Sequence, residues 1–309
     1  MMWVTAGSAM GILAVGIGLV LGIGIALVFR GTRSLTARLV AAVLAVALGF
    51  VAARLIWPGD TTVHDWTEET ALAPDWAGIR EVVVGLHGGQ VTLLPGQGGL
   101  WIEKSAVSKS KLEMIQVSLT QKGDALHLAG LNPAGEDFSA GLELLLEVPV
   151  QLERVEASGS AGSLALEGLS LPELVLRGLS LHATASQIGR LEVGPGSNSV
   201  RLEGGSVEMI EAATAGGPLF LVLKGIDPVP GGTLIRSSRR LLAELWLGHS
   251  YHLEVVIPTD GEVELPPLAE ARWEELPDGS KLWLAGDEAL PSIRLEFSTG
   301  SIRVVRPEG

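Results

Sequence analysis

The chain has 309 residues, no cysteine, 35 acidic against 22 basic residues, and 47% hydrophobic residues. The missing cysteines exclude disulfides, thiol catalysis and cysteine metal sites. None of the acidic residues and only four arginines fall in the first 58 positions, so the remainder carries 35 acidic against 18 basic residues, a net charge of −17 that opposes nucleic-acid binding.

Residues 1–58 read as a transmembrane helical hairpin. Ser8 to Phe29 is 22 residues without a charge, long enough as a helix to cross a hydrocarbon core of roughly 30 Å. Leu39 to Trp57 is a second apolar run, broken only by Arg54 near its end, where the guanidinium snorkels to the headgroups. The loop between them carries Arg30, Arg33 and Arg38, which the positive-inside rule places in the cytoplasm, with both chain ends extracytoplasmic. Gly7, Gly11, Ala14, Gly18 and Gly22 form a small-residue stripe on the first span, and Ala41, Ala45, Gly49 and Ala53 one on the second. Such stripes let helices approach closely, here on each other, on a second copy or on a membrane-protein partner.

Residues 59–78 are rich in Pro, Thr and acid and read as a juxtamembrane linker with one helical turn, Trp66 and Trp76 resting on the membrane or on the following domain. His64, Asp65, Glu68 and Glu69 cluster in it, a pattern that suits a hard cation less well than a solvated linker.

From residue 79 to 309 short alternating strands take over, and the expected class is all-β: a β-solenoid or flattened β-roll, with a β-sandwich as the alternative. "REVVVGLHGGQVTLLPG" reads as strand, glycine turn, strand, and "GLELLLEVPV" as a longer strand ending at Pro149. After Val155, "SLALEG", "ELVLRG", "RLEVGPG", "SVRLEGG" and "LFLVLKG" recur at intervals near ten residues or multiples of it. Each unit is too small to bury an apolar face alone, and stacking supplies the missing cover. Alternation points Leu164, Leu166, Leu174, Leu176, Val200 and Leu202 inward and Glu167, Arg177, Glu203 and Lys224 outward. The alternating signs predict lateral neighbours, with Glu167 beside Arg177. Ser237 to Gly248 has a spacing that permits a short helix, and 226–290 fits the repeat poorly, as an insertion or second sheet would.

The strand–glycine–strand opening, the "LLLEVPV" step, the glycine-ended units over 160–225 and the closing "STGSIRVV" together resemble the bacterial toastrack, or putative-adhesin, family of envelope domains. That family is similar too in hanging such domains from N-terminal membrane helices, as LiaF-like envelope proteins do. The resemblance implies a cell-envelope location and no known catalytic residues.

Motifs for chemistry are sparse. His249 and His252 are three apart, which puts them on opposite sides of a strand. No nucleophile elbow, phosphate loop or zinc-protease signature is present, and no cofactor or metal is expected. Trp246, Trp273 and Trp283 are candidate contacts for a partner or glycan. The expected function is a membrane-anchored, non-catalytic envelope scaffold or sensor that binds a partner or envelope polymer. The alternative is a surface adhesin or glycan-binding module, with a polysaccharide-active enzyme behind both.

Overall fold

Alternate residues are buried over Glu81–Gly88 and again from Val91, with the phase shifted at the Gly89–Gln90 corner, and those between are half-buried or exposed. This is the pattern of a strand with one face on a core and one towards water. Similar alternation recurs along many strands of the computed structural model, which describes residues 66–305 apart from 134–138, 214–215, 228, 248–250 and 269. The hairpin of 1–58 lies outside the described residues, among which no helix is long and apolar enough to cross a membrane.

The strands are β1 (Trp66–Leu72), β2 (Glu81–Pro95), β3 (Leu100–Ala106), β4 (Gln116–Lys122), β5 (Ala125–Leu131), β6 (Ala140–Val148) and β7 (Arg154–Glu167). There follow β8 (Ser170–Arg177), β9 (Ser180–Thr184), β10 (Gln187–Val193), β11 (Ser199–Glu203), β12 (Ser206–Ala212), β13 (Leu219–Lys224) and β14 (Thr233–Ser237). The last are β15 (Leu241–Trp246), β16 (His252–Ile257), β17 (Glu262–Glu264), β18 (Arg272–Glu275), β19 (Lys281–Gly286), β20 (Ser292–Phe297) and β21 (Thr299–Val305). Among the described residues there is one short helix, α1 (Lys109–Met114), which buries Leu112 and is capped by the Ser108 hydroxyl.

The strands form two parallel ladders, and each coil of chain gives one strand to each. The first ladder runs β5, first half of β2, first half of β7, β8, β10, β12, β14, β20, β16. The second runs β6, second half of β2, second half of β7, β9, β11, β13, β15, β21, β17. The result is a flattened β-roll about 38 Å long at the usual strand spacing. The hairpin-built sandwich is not the arrangement, because the ladders are parallel and antiparallel pairing is confined to the two ends. There β4, and β3 with β1, close one end, and β19 with β18 the other, covering edges that would otherwise invite pairing with other chains.

Stacking puts like side chains in register. In the first ladder Val82, Val155, Leu174, Leu191, Ile210, Ile235, Leu295 and Val255 form one fully buried column. Leu144, Val91, Leu164, Leu181, Val200 and Leu221 do the same in the second. Burial of each aliphatic side chain contributes roughly 1.5–3 kcal/mol, and the coil depends on its neighbours for that burial. The corners are tight: Gly178 has φ +74°, and a Cβ there would clash with the carbonyl oxygen of Gly159 in the coil beneath.

Chain order and stacking order part company at both ends. β2 is inserted between the β5/β6 coil and β7, although it precedes both in sequence. The last coil, β20/β21, is inserted between β14/β15 and β16/β17. The first and last described coils are therefore held on both sides.

Several expectations need correction. Consecutive ten-residue units lie on opposite ladders, so Glu167 registers with Thr184 and Arg177 with Ser158; the two are not lateral neighbours. Glu203 and Lys224, two units apart, are register partners. Residues 237–248 hold strand β15 in place of a short helix, because a buried position at every second residue matches the ladder beneath. Residues 226–290 are no separate insertion: β14 to β17 continue the stack and β18 and β19 cap it. Within 59–78, residues 66–72 form β1, an exposed strand on the edge of β3, where pairing overrides the local turn propensity.

Candidate contact surfaces

The outer faces of the two ladders differ in how they manage charge. On the first, a continuous file of ion pairs crosses eight coils. Arg154 lies 3.6 Å from Glu81 and 3.4 Å from Glu173, which is 3.9 Å from Arg190. Arg190 meets Glu211 at 2.6 Å; Arg236 then joins Glu211 at 3.6 Å to Glu296 at 2.9 Å. Arg294, 2.9 Å from Glu296 and 3.2 Å from Glu254, ends the file. A side branch runs from Glu156, 2.6 Å from Arg177, to Glu192 at 3.7 Å. The hydrogen bond and charge of Glu211 raise the Arg190 pKa. Burial pushes the Glu296 carboxyl up, but Arg236 and Arg294 together hold it below its ordinary value.

The second ladder is different at its β1 end. Glu69 is opposite Glu103, Glu103 opposite Glu143, and Gln90 completes the row. All three carboxylates are exposed, and none pairs with a Lys, Arg or His among the described residues. The adjacent row is Ala71, Trp101, Leu145 and Thr92. Trp101 is 45% and Leu145 37% exposed, and the indole lies over Gly99. The two rows line an open groove of about 540 Å³. Like charges directly opposite across strands are destabilising, and an exposed indole beside them adds an apolar contact area. Sequence reading missed this group. "GLWIEKS" and "GLELLLE" show which side chains face outward, but the antiparallel register that lines up Glu103 with Glu143 is not written in either.

The expected site residues fall in scattered places. Trp283 is core, 3% exposed. Trp273 is 55% exposed on β18, directly across from Trp283. Trp246 is half-buried on β15, its Nε1 donating to Glu244 at 2.6 Å and its ring 5.7 Å from the Lys224 ammonium. The three make no common platform. Trp66 is exposed on β1, whereas Trp76 packs on the core and donates to the Gly98 carbonyl at 3.0 Å. Glu68 lies 3.6 Å from Lys104, while its neighbour Glu69 joins the unpaired row on the other side of β1. His252 is buried. His64, Asp65, His249, Arg30, Arg33, Arg38 and the small-residue stripes of both spans (Gly7, Gly11, Gly18, Gly22; Ala41, Ala45, Gly49, Ala53) lie outside the described residues. Among the described residues no three His, Asp or Glu side chains are grouped so as to hold a metal ion.

No known protein family and no curated protein matches the chain. Among solved structures it is similar to a "putative adhesin" from Bacteroides fragilis, at 12% identity and a TM-score of 0.45, over 78% of this chain and 98% of that one. A "putative adhesin" from Parabacteroides merdae aligns at 9% identity and a TM-score of 0.41, over 78% and 97%. A "putative cell adhesion protein" from Clostridium sporogenes aligns at 9% identity and a TM-score of 0.32, over 78% and 100%. Such identities carry no function across.

Proposed function

We propose that the β-roll is a non-catalytic binding module of the cell envelope, with the groove around Trp101 as its contact face, and that the N-terminal hairpin anchors it in the membrane. The observation that carries this reading is the row Glu69, Glu103 and Glu143, unpaired beside exposed Trp101 and Leu145, on a body whose other face neutralises its charges coil by coil. Side chains that repel one another in the free protein gain when a cation arrives between them. The partner surface is therefore basic, with an apolar or planar group for the indole. A rigid roll suits such docking, since little ordering is required on binding.

Whether the module serves as an adhesin or as a scaffold for a membrane partner depends on where the basic surface lies, on another cell or in the same envelope. The direct test is binding of a fluorescent lysine-rich peptide, and of an aspartate-rich control, to the full chain in detergent. Selective binding of the basic peptide should fall about tenfold or more in Trp101→Ala and in the Glu103→Gln, Glu143→Gln pair. Equal binding of both peptides, or basic-peptide binding untouched by either variant, refutes the assignment of this face.

A further inference from the structure

Capping moves the open edge of the second ladder outwards without removing it. β1 pairs with β3 along one side, and no other described strand lies along its second side. All seven of its side chains are exposed, on both faces. The other outermost strands offer less: β17 and β18 have three and four residues, and β4 carries no carboxylate.

The register shows which backbone groups the edge presents. The Glu147 N–H donates to the Gly99 carbonyl and the Val107 N–H to that of Ser139. The odd-numbered residues of β3 therefore turn their backbone to β6, and the even-numbered ones turn theirs to β1. Thr67, Glu69 and Ala71 stand opposite Ser105, Glu103 and Trp101, all odd. The N–H and C=O groups of those three β1 residues thus point away from β3, along the open edge. Such a row is a template for a further strand. The same three residues carry the side chains on the groove face, so the open edge and the unpaired carboxylates coincide.

We propose that the open edge of β1 takes an extended basic segment of a partner protein as an added antiparallel strand, with a lysine or arginine directly opposite Glu69. This rests on the Trp101 groove being the contact face and names what enters it. The added strand exchanges main-chain hydrogen bonds with Thr67, Glu69 and Ala71, which supply affinity, while alternate side chains supply specificity. Its cation lies beside Glu69 and within reach of the row that continues to Glu103. On its other face, apolar side chains opposite Trp66 and Leu72 cover two exposed hydrophobic residues. A second copy of β1 is the wrong occupant: antiparallel pairing about the middle of Trp66–Leu72 sets Glu69 against Glu69, or Glu68 against Glu69, and like charges directly opposite are destabilising.

Fluorescence anisotropy of the full chain in detergent with the peptide Val-Lys-Val-Lys-Val-Lys-Val tests the proposal. It should bind at least about tenfold more tightly than Val-Val-Lys-Lys-Lys-Val-Val, which has the same composition without the alternation. A lysine opposite Glu69 turns its own N–H to β1, so N-methylation of the lysine amides should weaken binding about tenfold or more. N-methylation of the valine amides, which face away, should leave it within about threefold. In the protein, Ala71→Pro removes one edge donor while leaving the β3 pairing intact, and should weaken binding about tenfold. The methylated peptides read the wild-type protein and do not depend on how the variant folds. Equal binding of the two sequences, equal effects of the two methylation patterns, or self-association of the chain that Ala71→Pro abolishes would each overturn strand addition. Peptide binding that falls in the Glu103→Gln, Glu143→Gln pair but ignores methylation leaves the groove standing and overturns only the added strand. No binding of either lysine peptide overturns both.

Discussion

Arg236 and Glu296 are sixty positions apart in the chain and 2.9 Å apart in space. Their contact joins β14 to β20, the last coil, which has been inserted ahead of β16. With Arg294 on its other side, Glu296 is the link through which the ion-pair file reaches the far end of the roll.

Breaking that file should have a measurable but moderate effect. Arg154→Met removes a guanidinium shared by Glu81, Glu156 and Glu173, and its side chain is 38% exposed. Exposed pairs contribute roughly 0.2–1 kcal/mol, so the expected loss is on the order of 1 kcal/mol. Denaturant unfolding at low and high salt checks this: the gap between wild type and variant should shrink as salt rises.

Acid should weaken ion pairs on both ladders. The carboxyls of Glu296, by way of its two arginines, and of Glu203, through the hydrogen bond from Arg201, lie below their ordinary values. Their stabilisation is complete above the unfolded-state value, about 4.3 for Glu, and is lost as pH falls through the lower folded-state values. Melting temperature should therefore drop below about pH 4. Arg236→Met, which removes one of the groups depressing Glu296, should flatten part of that drop.

A corner substitution should be far more damaging than its size suggests. Gly178→Ala places a methyl against the Gly159 carbonyl at a φ of +74°. Strain of this kind costs on the order of 1–3 kcal/mol before any clash is counted. Leu191→Ala in the central column, at about 2–5 kcal/mol, is the reference against which to compare it. Circular dichroism melts should show both variants well below wild type, and a Gly178→Ala variant melting with wild type would contradict the stacked corner.

The tryptophans offer an optical check. Trp273 is 55% exposed and Trp283 3%. In single-site Phe variants, acrylamide quenching should fall for Trp273→Phe and rise or stay constant for Trp283→Phe.

The inward side chains were legible because strand alternation needs only local sequence: Leu164, Leu166, Leu174 and Leu176 are all fully buried, as their spacing predicts. What a short repeat cannot state is which unit lies beside which. "LALEG" and "LVLRG" look like lateral copies, yet a two-sided coil places consecutive units on opposite ladders, and the stacking neighbour is the unit after next. Insertion of β2 and β20/β21 is equally silent, since it is set by long-range pairing that no local pattern encodes. Trp283 was unplaceable for a related reason: an aromatic on an end-capping strand is core or surface depending on what packs over it. The groove residues were visible one by one, in "GLWIEKS" and "GLELLLE", and became a group only through the register of β3 on β6.

The thermal stability of Glu143→Gln, measured on the full chain at low salt, bears most directly on the contact face. Removing one carboxylate from a row of three should raise stability by about 0.5 kcal/mol while weakening binding of the lysine-rich peptide. A variant that is less stable than wild type, or that binds the peptide equally well, would show that the row is neither repulsive in the free protein nor part of its binding surface.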